Sequence, residues 1–149
     1  FGWNKGKHKV IIKPKYDSYY SFELAIGICT KLDIKTGPNW YLEDINCGHS
    51  YYAYFNDTSG FQYMSSKNGK QIYCKDKVRP QYNKSRRNKG NTGTFETKIE
   101  LNVDCDDWVY WITFKQPYAQ FWKGPQMRIQ SNKYYPVLCL EQNMEVKVL

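Results

Sequence analysis

Apolar and polar residues alternate along much of the chain, and this alternation predicts β-strands. The clearest case is Thr94 to Val103, where Phe95, Thr97, Ile99, Leu101 and Val103 face one way and Glu96, Lys98, Glu100 and Asn102 the other. A period of two is typical of a half-buried strand. Further strands are predicted at Ser50 to Phe55, Phe61 to Ser65, Gln71 to Cys74, Trp108 to Phe114, Met127 to Ile129, Pro136 to Leu140 and Met144 to Leu149. Asn68-Gly69 predicts a tight hairpin between two of them.

The N-terminal third has a different pattern, which predicts a helix from Tyr16 to Leu32. Apolar residues fall at i, i+4 and i+7 in Phe22, Ile26 and Cys29. Asp17 or Ser18 can cap the first turn. Before this helix, Lys9 to Lys13 predicts a short edge strand with a lysine at each end. The resulting prediction is a single α+β domain spanning residues 1–149, with one N-terminal helix packed on a twisted antiparallel β-sheet.

Aromatic residues are unusually frequent, with 5 Trp, 14 Tyr and 7 Phe in 149 residues. Tyrosine has an apolar ring and a polar tip, which suits strands that are half-exposed. The alternative is a platform on which bases or sugars stack, with Tyr51, Tyr52 and Tyr54 as its rings. No apolar run approaches the roughly 20 residues that span a bilayer, so we expect a soluble protein that does not insert into membranes.

The cysteine spacing indicates disulfides and not a metal site. Cys29, Cys47, Cys74, Cys105 and Cys139 lie far apart, without the close pairs that zinc sites use. We expect two disulfides and one free thiol in a secreted protein, and no metal or other cofactor. The start at Phe1-Gly2-Trp3 resembles that of a processed chain. A reduced cytosolic protein is the alternative.

Positive charge is concentrated between Lys75 and Lys89, in a chain with a formal net charge of +8. We interpret residues 75–93 as a basic loop inserted in the sheet. Its cations are Lys75, Lys77, Arg79, Lys84, Arg86, Arg87 and Lys89. Clustered cations repel one another unless water or an anion screens them. The loop is therefore either solvated or an anion-binding arm, and Arg86-Arg87 could also be a processing site.

Signs of catalysis are weak. His49, at the start of a predicted strand, could act as a general acid or base or could be structural. Glu96 and Glu100 would lie about 13 Å apart along an extended strand, wider than a glycosidase pair. They are better explained as a solvated face. The run from Asp104 to Asp107 is interpreted as an acidic turn.

Two short motifs, His49-Ser-Tyr51 and Gly124-Pro-Gln-Met-Arg128-Ile129, resemble those of the small fungal guanyl-specific ribonucleases and of the ribonuclease-like secreted effectors of powdery mildews. The resemblance implies an early helix on an antiparallel sheet. It also implies a site that combines His49, Arg128 and either Glu96 or Glu100. The chain has no histidine after His49, so the second catalytic histidine of the enzymes is missing. The resemblance therefore implies a derivative that binds RNA or protein without cleaving it.

The leading hypothesis is a secreted, monomeric, basic binding protein of the effector type, whose partner is RNA, another anionic polymer or a host protein. Whether it is an enzyme is left open, with a binding role favoured. One alternative is a secreted ribonuclease that uses His49 with Glu96 or Glu100. The other is a carbohydrate-binding module that uses exposed Trp and Tyr.

Overall fold

The computed structural model describes residues 2–16, 23–31, 48–56, 60–67, 70–74, 93–94, 98–115, 122–140 and 144–149, which form two antiparallel sheets. Sheet I has the strand order β10-β8-β7-β1-β12, with β6 paired to β1 and β9 to β8. Its strands are β1 (Lys7–Tyr16), β6 (Gly93–Thr94), β7 (Lys98–Asp104), β8 (Val109–Lys115), β9 (Trp122–Lys123), β10 (Met127–Arg128) and β12 (Met144–Val148). Sheet II has the order β11-β2-β3-β4-β5. Its strands are β2 (Glu23–Cys29), β3 (His49–Asn56), β4 (Gly60–Lys67), β5 (Lys70–Cys74) and β11 (Tyr135–Leu140).

The predicted α+β fold with an N-terminal helix is wrong, because the described residues contain strands and no helix, and therefore no helix that could span a membrane. Residues 23–29 of the predicted helix form β2, in the interior of sheet II. Leu24, Ile26 and Ile28 are buried on one side of this strand, and Ala25 and Cys29 on the other. A strand that is buried on both faces is apolar throughout, so its sequence also satisfies a helical period. Residues 17–22 and 32 of the predicted helix lie outside the described residues.

The predicted edge strand from Lys9 to Lys13 is also corrected, because β1 lies inside sheet I. Its residues 7–12 pair with β7, and its residues 12–16 pair with β12. Pro14 fits within this strand for a specific reason. The ladder with β7 ends at Ile12, and pairing on that side resumes with β6 at Lys15, so Pro14 lies where no ladder bond needs its missing N–H.

Most of the strands predicted after residue 48 are confirmed, as is the hairpin pairing of the strands that flank Asn68-Gly69. In that hairpin Lys67 pairs with Lys70 across the two residues 68–69. The long strand predicted from Thr94 to Val103 is divided, since Thr94 belongs to β6 and Lys98 begins β7. Within β7 the alternation is confirmed for Ile99, Leu101 and Val103, which are all buried.

The core lies between the two sheets, and tyrosines belong to it. Tyr52 is fully buried in a second cluster on the other face of sheet II, whereas Tyr63, Tyr110 and Tyr134 are fully buried between the sheets. Two of them hydrogen-bond to the backbone of the opposite sheet. Ile112 N donates to Tyr63 Oη over 3.1 Å, and Tyr110 Oη donates to Tyr52 O over 3.4 Å. The tyrosine-rich composition is therefore explained partly by hydroxyl groups that join the two layers.

Candidate anion-binding face

The outer face of sheet I concentrates positive charge. Since Ile99, Leu101 and Val103 point into the core, residues 100, 102 and 104 of β7 point outward, and strand register extends this face across the sheet. We call this surface the basic face. Its described cationic side chains are Lys7, Lys9, Lys13, Lys98, Lys123, Arg128 and Lys147. Its described carboxylates are Glu100, Asp104 and Glu145.

Two of these carboxylates are already engaged. Glu100 Oε2 accepts a 2.8 Å hydrogen bond from Thr113 Oγ1 and lies 3.6 Å from Lys9 Nζ. Asp104 lies 4.0 Å from Lys7 Nζ, and its Oδ1 accepts hydrogen bonds from the backbone N–H groups of Asp106 and Asp107. The hydrogen bond from Asp107 is the main cause that lowers the pKa of Asp104. Residues 104–107 thus form the predicted acidic turn, in which the Asp104 carboxylate accepts hydrogen bonds from the backbone of the turn itself.

A row of lysines crosses the basic face beyond these pairs. Lys13 on β1 lies directly opposite Lys147 on β12. Lys98 on β7 immediately precedes Ile99, which lies opposite Ile12, so continuing the antiparallel register places Lys98 on the other side of Lys13. Like charges opposite one another across strands are destabilising. Within the described part of the chain no ion pair is formed by these three lysines, which is the condition in which a bound anion would stabilise them.

Trp111 is the one aromatic among the described side chains of the basic face, and two cations of the neighbouring edge strands flank it. The ring is half-buried, and Lys123 Nζ lies 5.3 Å from its centroid. Arg128 is exposed and pairs in register with Val109, two residues from Trp111 on the same strand. An indole between an ammonium and a guanidinium can contact an apolar ring face while the cations hold anionic groups beside it.

The structure does not assemble the site that the ribonuclease resemblance implies. His49 lies on β3 of sheet II, with its ring against Tyr51 near the core, whereas Glu100 points outward from sheet I. Stacked sheets are about 10 Å apart, so these two groups are separated by the sandwich itself. Arg128 lies on the outer face of sheet I, and Glu96 falls outside the described residues. The helix on which the resemblance depended is absent from residues 23–29.

His49 instead takes part in a network that attaches residues 130–134 to β3. Its ring centroid is 4.4 Å from that of Tyr51, whose Oη accepts a 3.2 Å hydrogen bond from Gln130 N. Tyr134 Oη donates to Gln130 O. Burial lowers the pKa of His49, Lys67 lowers it further, and the Gln130 side chain opposes this shift. Nε2 of His49 is buried and has no hydrogen-bond partner among the described residues, so a proton there would be poorly stabilised.

The three tyrosines predicted to stack on a ligand pack against other parts of the protein. Tyr52 is only 1% exposed. Tyr51 is half-buried against Tyr110 and Tyr134, at ring-centroid distances of 6.1 Å in both cases. Tyr54 packs beside the second buried cluster. Trp111, which we did not single out from the sequence, presents an aromatic ring on a charged surface instead.

The remaining sequence predictions concern residues that the structure describes only in part. All seven cations of the arm from Lys75 to Lys89 lie outside the described residues, so anion binding by that arm stays a prediction. Cys105 is a buried free thiol whose pKa is raised by burial and by Asp104 and Asp106. The pairing of the other four cysteines stays a prediction. No group of His, Cys, Asp and Glu among the described residues is arranged to hold a metal ion.

The lysines of the basic face follow a regular spacing in the sequence. Lys7, Lys9 and Lys13 occupy alternate positions of one strand, as do Lys98 and Glu100. This spacing is equally compatible with an edge strand that has a lysine at each end. Only the pairing of β1 with both β7 and β12 shows that their side chains join one continuous face.

Comparison with known proteins supports the architecture alone. No protein-family model matches the chain, and no curated protein matches it. The PSpry domain of TRIM65 is similar in structure, with a TM-score of 0.57 at 11% identity, over 100% of this chain and 67% of that one. Galectin-Ib of Xenopus laevis superposes with a TM-score of 0.41 at 10% identity, over 99% of this chain and 95% of that one. The first likeness shows a shared β-sandwich fold, and the second is too low to carry an argument.

Proposed function

We propose that this protein is a binding module that holds an anionic polysaccharide on its basic face, with Trp111 against a sugar ring. The proposal rests chiefly on the position of Trp111 between Lys123 and Arg128. The row of Lys98, Lys13 and Lys147 adds positive charge that the described carboxylates do not neutralise. A sulfated or carboxylated polysaccharide supplies both anionic groups and apolar ring faces.

The geometry favours a polysaccharide over single-stranded RNA. Proteins that bind single-stranded RNA stack successive bases on several exposed aromatic rings. Among the described side chains of the basic face Trp111 is the sole aromatic. Tyr51 is half-buried between the sheets, and Tyr52 is buried on the other face of sheet II. Antiparallel two-sheet folds include lectin domains, but this is an analogy of architecture and not of the site. Secretion and binding by the arm from Lys75 to Lys89 are compatible with this function and stay predictions.

The charge requirement can be tested with two matched double variants. Lys13→Gln with Lys98→Gln removes two charges from the basic face, and Lys31→Gln with Lys133→Gln removes two exposed charges elsewhere. Binding to heparin, to neutral dextran and to single-stranded poly(U) would be measured by calorimetry at several salt concentrations. We expect heparin binding that weakens with salt, and no dextran binding. The first double variant should reduce the slope of log K against log salt by roughly two, and the second should leave it unchanged.

Two results would overturn the proposal. Equal losses in both double variants would show that net charge alone attracts the polymer. Tighter binding of poly(U) than of heparin at the same salt would assign the face to nucleic acid.

The role of the ring is tested separately by Trp111→Ala and Trp111→Phe. Loss of an aromatic stacking partner costs about 1–3 kcal/mol per ring, which is roughly 5- to 150-fold in affinity. We expect Trp111→Ala to lose affinity for heparin by such a factor with little change in the salt slope, and Trp111→Phe to recover most of it. Unchanged affinity in Trp111→Ala would remove the sugar-stacking role.

A further inference from the structure

β12 forms one end of sheet I, and the direction of its backbone groups can be determined. Among the described strands it pairs with β1 alone. Leu149 N donates to Ile11 O over 2.9 Å, so the N–H and C=O groups of residue 149 point toward β1. In an antiparallel ladder these directions alternate along the strand. Residues 145 and 147 therefore also bond to β1, and Met144, Val146 and Val148 direct their N–H and C=O groups away from it.

The sequence of this strand, Met144-Glu-Val-Lys-Val148, is complementary to itself in one register. When two copies pair antiparallel about a two-fold axis at Val146, Glu145 of each lies opposite Lys147 of the other. An axis at Lys147 would place lysine opposite lysine, and an axis at Glu145 would place glutamate opposite glutamate. Charge thus selects the Val146 register, since like charges directly opposite are destabilising.

The hydrogen-bonding directions are compatible with this register. Val146 opposite Val146, and Met144 opposite Val148, would be hydrogen-bonded pairs, because these are the residues whose backbone groups point outward. Glu145 opposite Lys147 would then be a non-hydrogen-bonded pair, in which Cα atoms are about 4.5 Å apart and side chains are closest. Glu145 and Lys147 are both exposed, so they are available to form this contact.

We propose that β12 is a docking edge for a second copy of this chain, which extends sheet I across a two-fold axis. The two large hydrophobic side chains that are most exposed among the described residues, Val148 at 63% and Leu149 at 51%, lie at this edge. Pairing would join the basic faces of two copies and place their lysine rows side by side. This inference does not depend on the identity of the ligand, and it departs from the monomer expected from the sequence. A small strand interface of this kind predicts a weak, concentration-dependent dimer.

The register can be tested by charge reversal, with sedimentation velocity of the full chain without ligand over a range of concentrations. We expect the wild type to dimerise, and Lys147→Glu or Glu145→Lys alone to weaken the dimer at least tenfold. The double variant that exchanges the two charges should restore the dissociation constant to within about threefold of the wild-type value. Lys133→Glu, which reverses an exposed charge elsewhere, should have no such effect.

A second variant tests the backbone directly. Val148→Pro removes an N–H that points away from β1, so the fold should retain its thermal melting temperature while the dimer is lost. A wild type that stays monomeric at every concentration examined by sedimentation velocity would overturn the proposal. The proposal would also be overturned if the double variant with exchanged charges failed to regain the dimer affinity of the wild type.

Discussion

The outer faces of the two sheets differ in charge although their strands alternate in the same way. The outer face of sheet I carries lysines, Arg128 and a half-buried Trp111. The corresponding face of sheet II contains a second buried cluster, with Ala25, Cys29, Tyr52, Met64, Val137 and Cys139, and its described side chains include no charged group. Strand alternation therefore predicts which residues share a face. The charge of those residues then indicates whether the face suits a polar ligand, as in sheet I, or is buried, as in sheet II.

The largest difference in stability is expected between two truncations, each of one aromatic residue on the outer face of one sheet. Tyr52 is 1% exposed, so Tyr52→Ala should lower the free energy of unfolding by about 3–5 kcal/mol through lost packing and a cavity. Trp111→Ala, on the half-buried position of the basic face, should cost about 1 kcal/mol. Urea denaturation of both variants measures the difference. Similar values for the two would contradict the contrast between the faces.

A moderate effect is expected where the inner faces meet. In Tyr63→Phe the buried N–H of Ile112 loses its acceptor, which should cost about 1–3 kcal/mol. Tyr110→Phe is the matched variant, and we expect it to cost less, because the hydroxyl it removes makes a longer bond to a carbonyl. The same denaturation experiment compares the two. A larger loss for Tyr110→Phe would mean that the bond to Ile112 is not the stronger link between the sheets.

Burial raises the pKa of Tyr63 to about 12, so this hydroxyl stays protonated at neutral pH.

The smallest effect should be a dependence of stability on pH that arises in sheet II. The pKa of His49 is lowered in the folded protein, mainly by burial, from an ordinary value of 6.5. As the pH falls below about 6.5 the unfolded chain therefore binds the proton more readily than the folded one, and stability is lost. We expect the melting temperature to fall more between pH 7.5 and pH 5 in the wild type than in His49→Gln.

His8→Gln provides the control for this measurement, because it removes the other histidine of the chain. It separates the effect of losing an imidazole at position 8 from the effect of losing the one at position 49. An equal fall in melting temperature for the wild type and His49→Gln would show that other groups cause the acid sensitivity.

Much of the β-structure could be predicted from local patterns, because each pattern is contained in a few neighbouring residues. The Asn68-Gly69 hairpin and the alternation of Ile99, Leu101 and Val103 are examples. β2 could not be assigned in this way. Its residues are buried on both faces, which makes the period ambiguous between strand and helix. The candidate site was missed for a related reason, since Trp111, Lys123 and Arg128 come from separate strands.

The sequence by itself determined most of the strand positions after residue 48, the excess of positive charge and the alternate lysines of β1. The tertiary structure decided which strands are neighbours, and therefore that Lys13 lies opposite Lys147 and that Arg128 lies near Trp111. The physical reason is the distance along the chain between the residues that interact. Alternation and turn chemistry depend on adjacent residues, whereas strand order and register depend on burying two sheets against each other. Only that packing places β1 inside sheet I and turns its lysines, with those of distant strands, toward one surface.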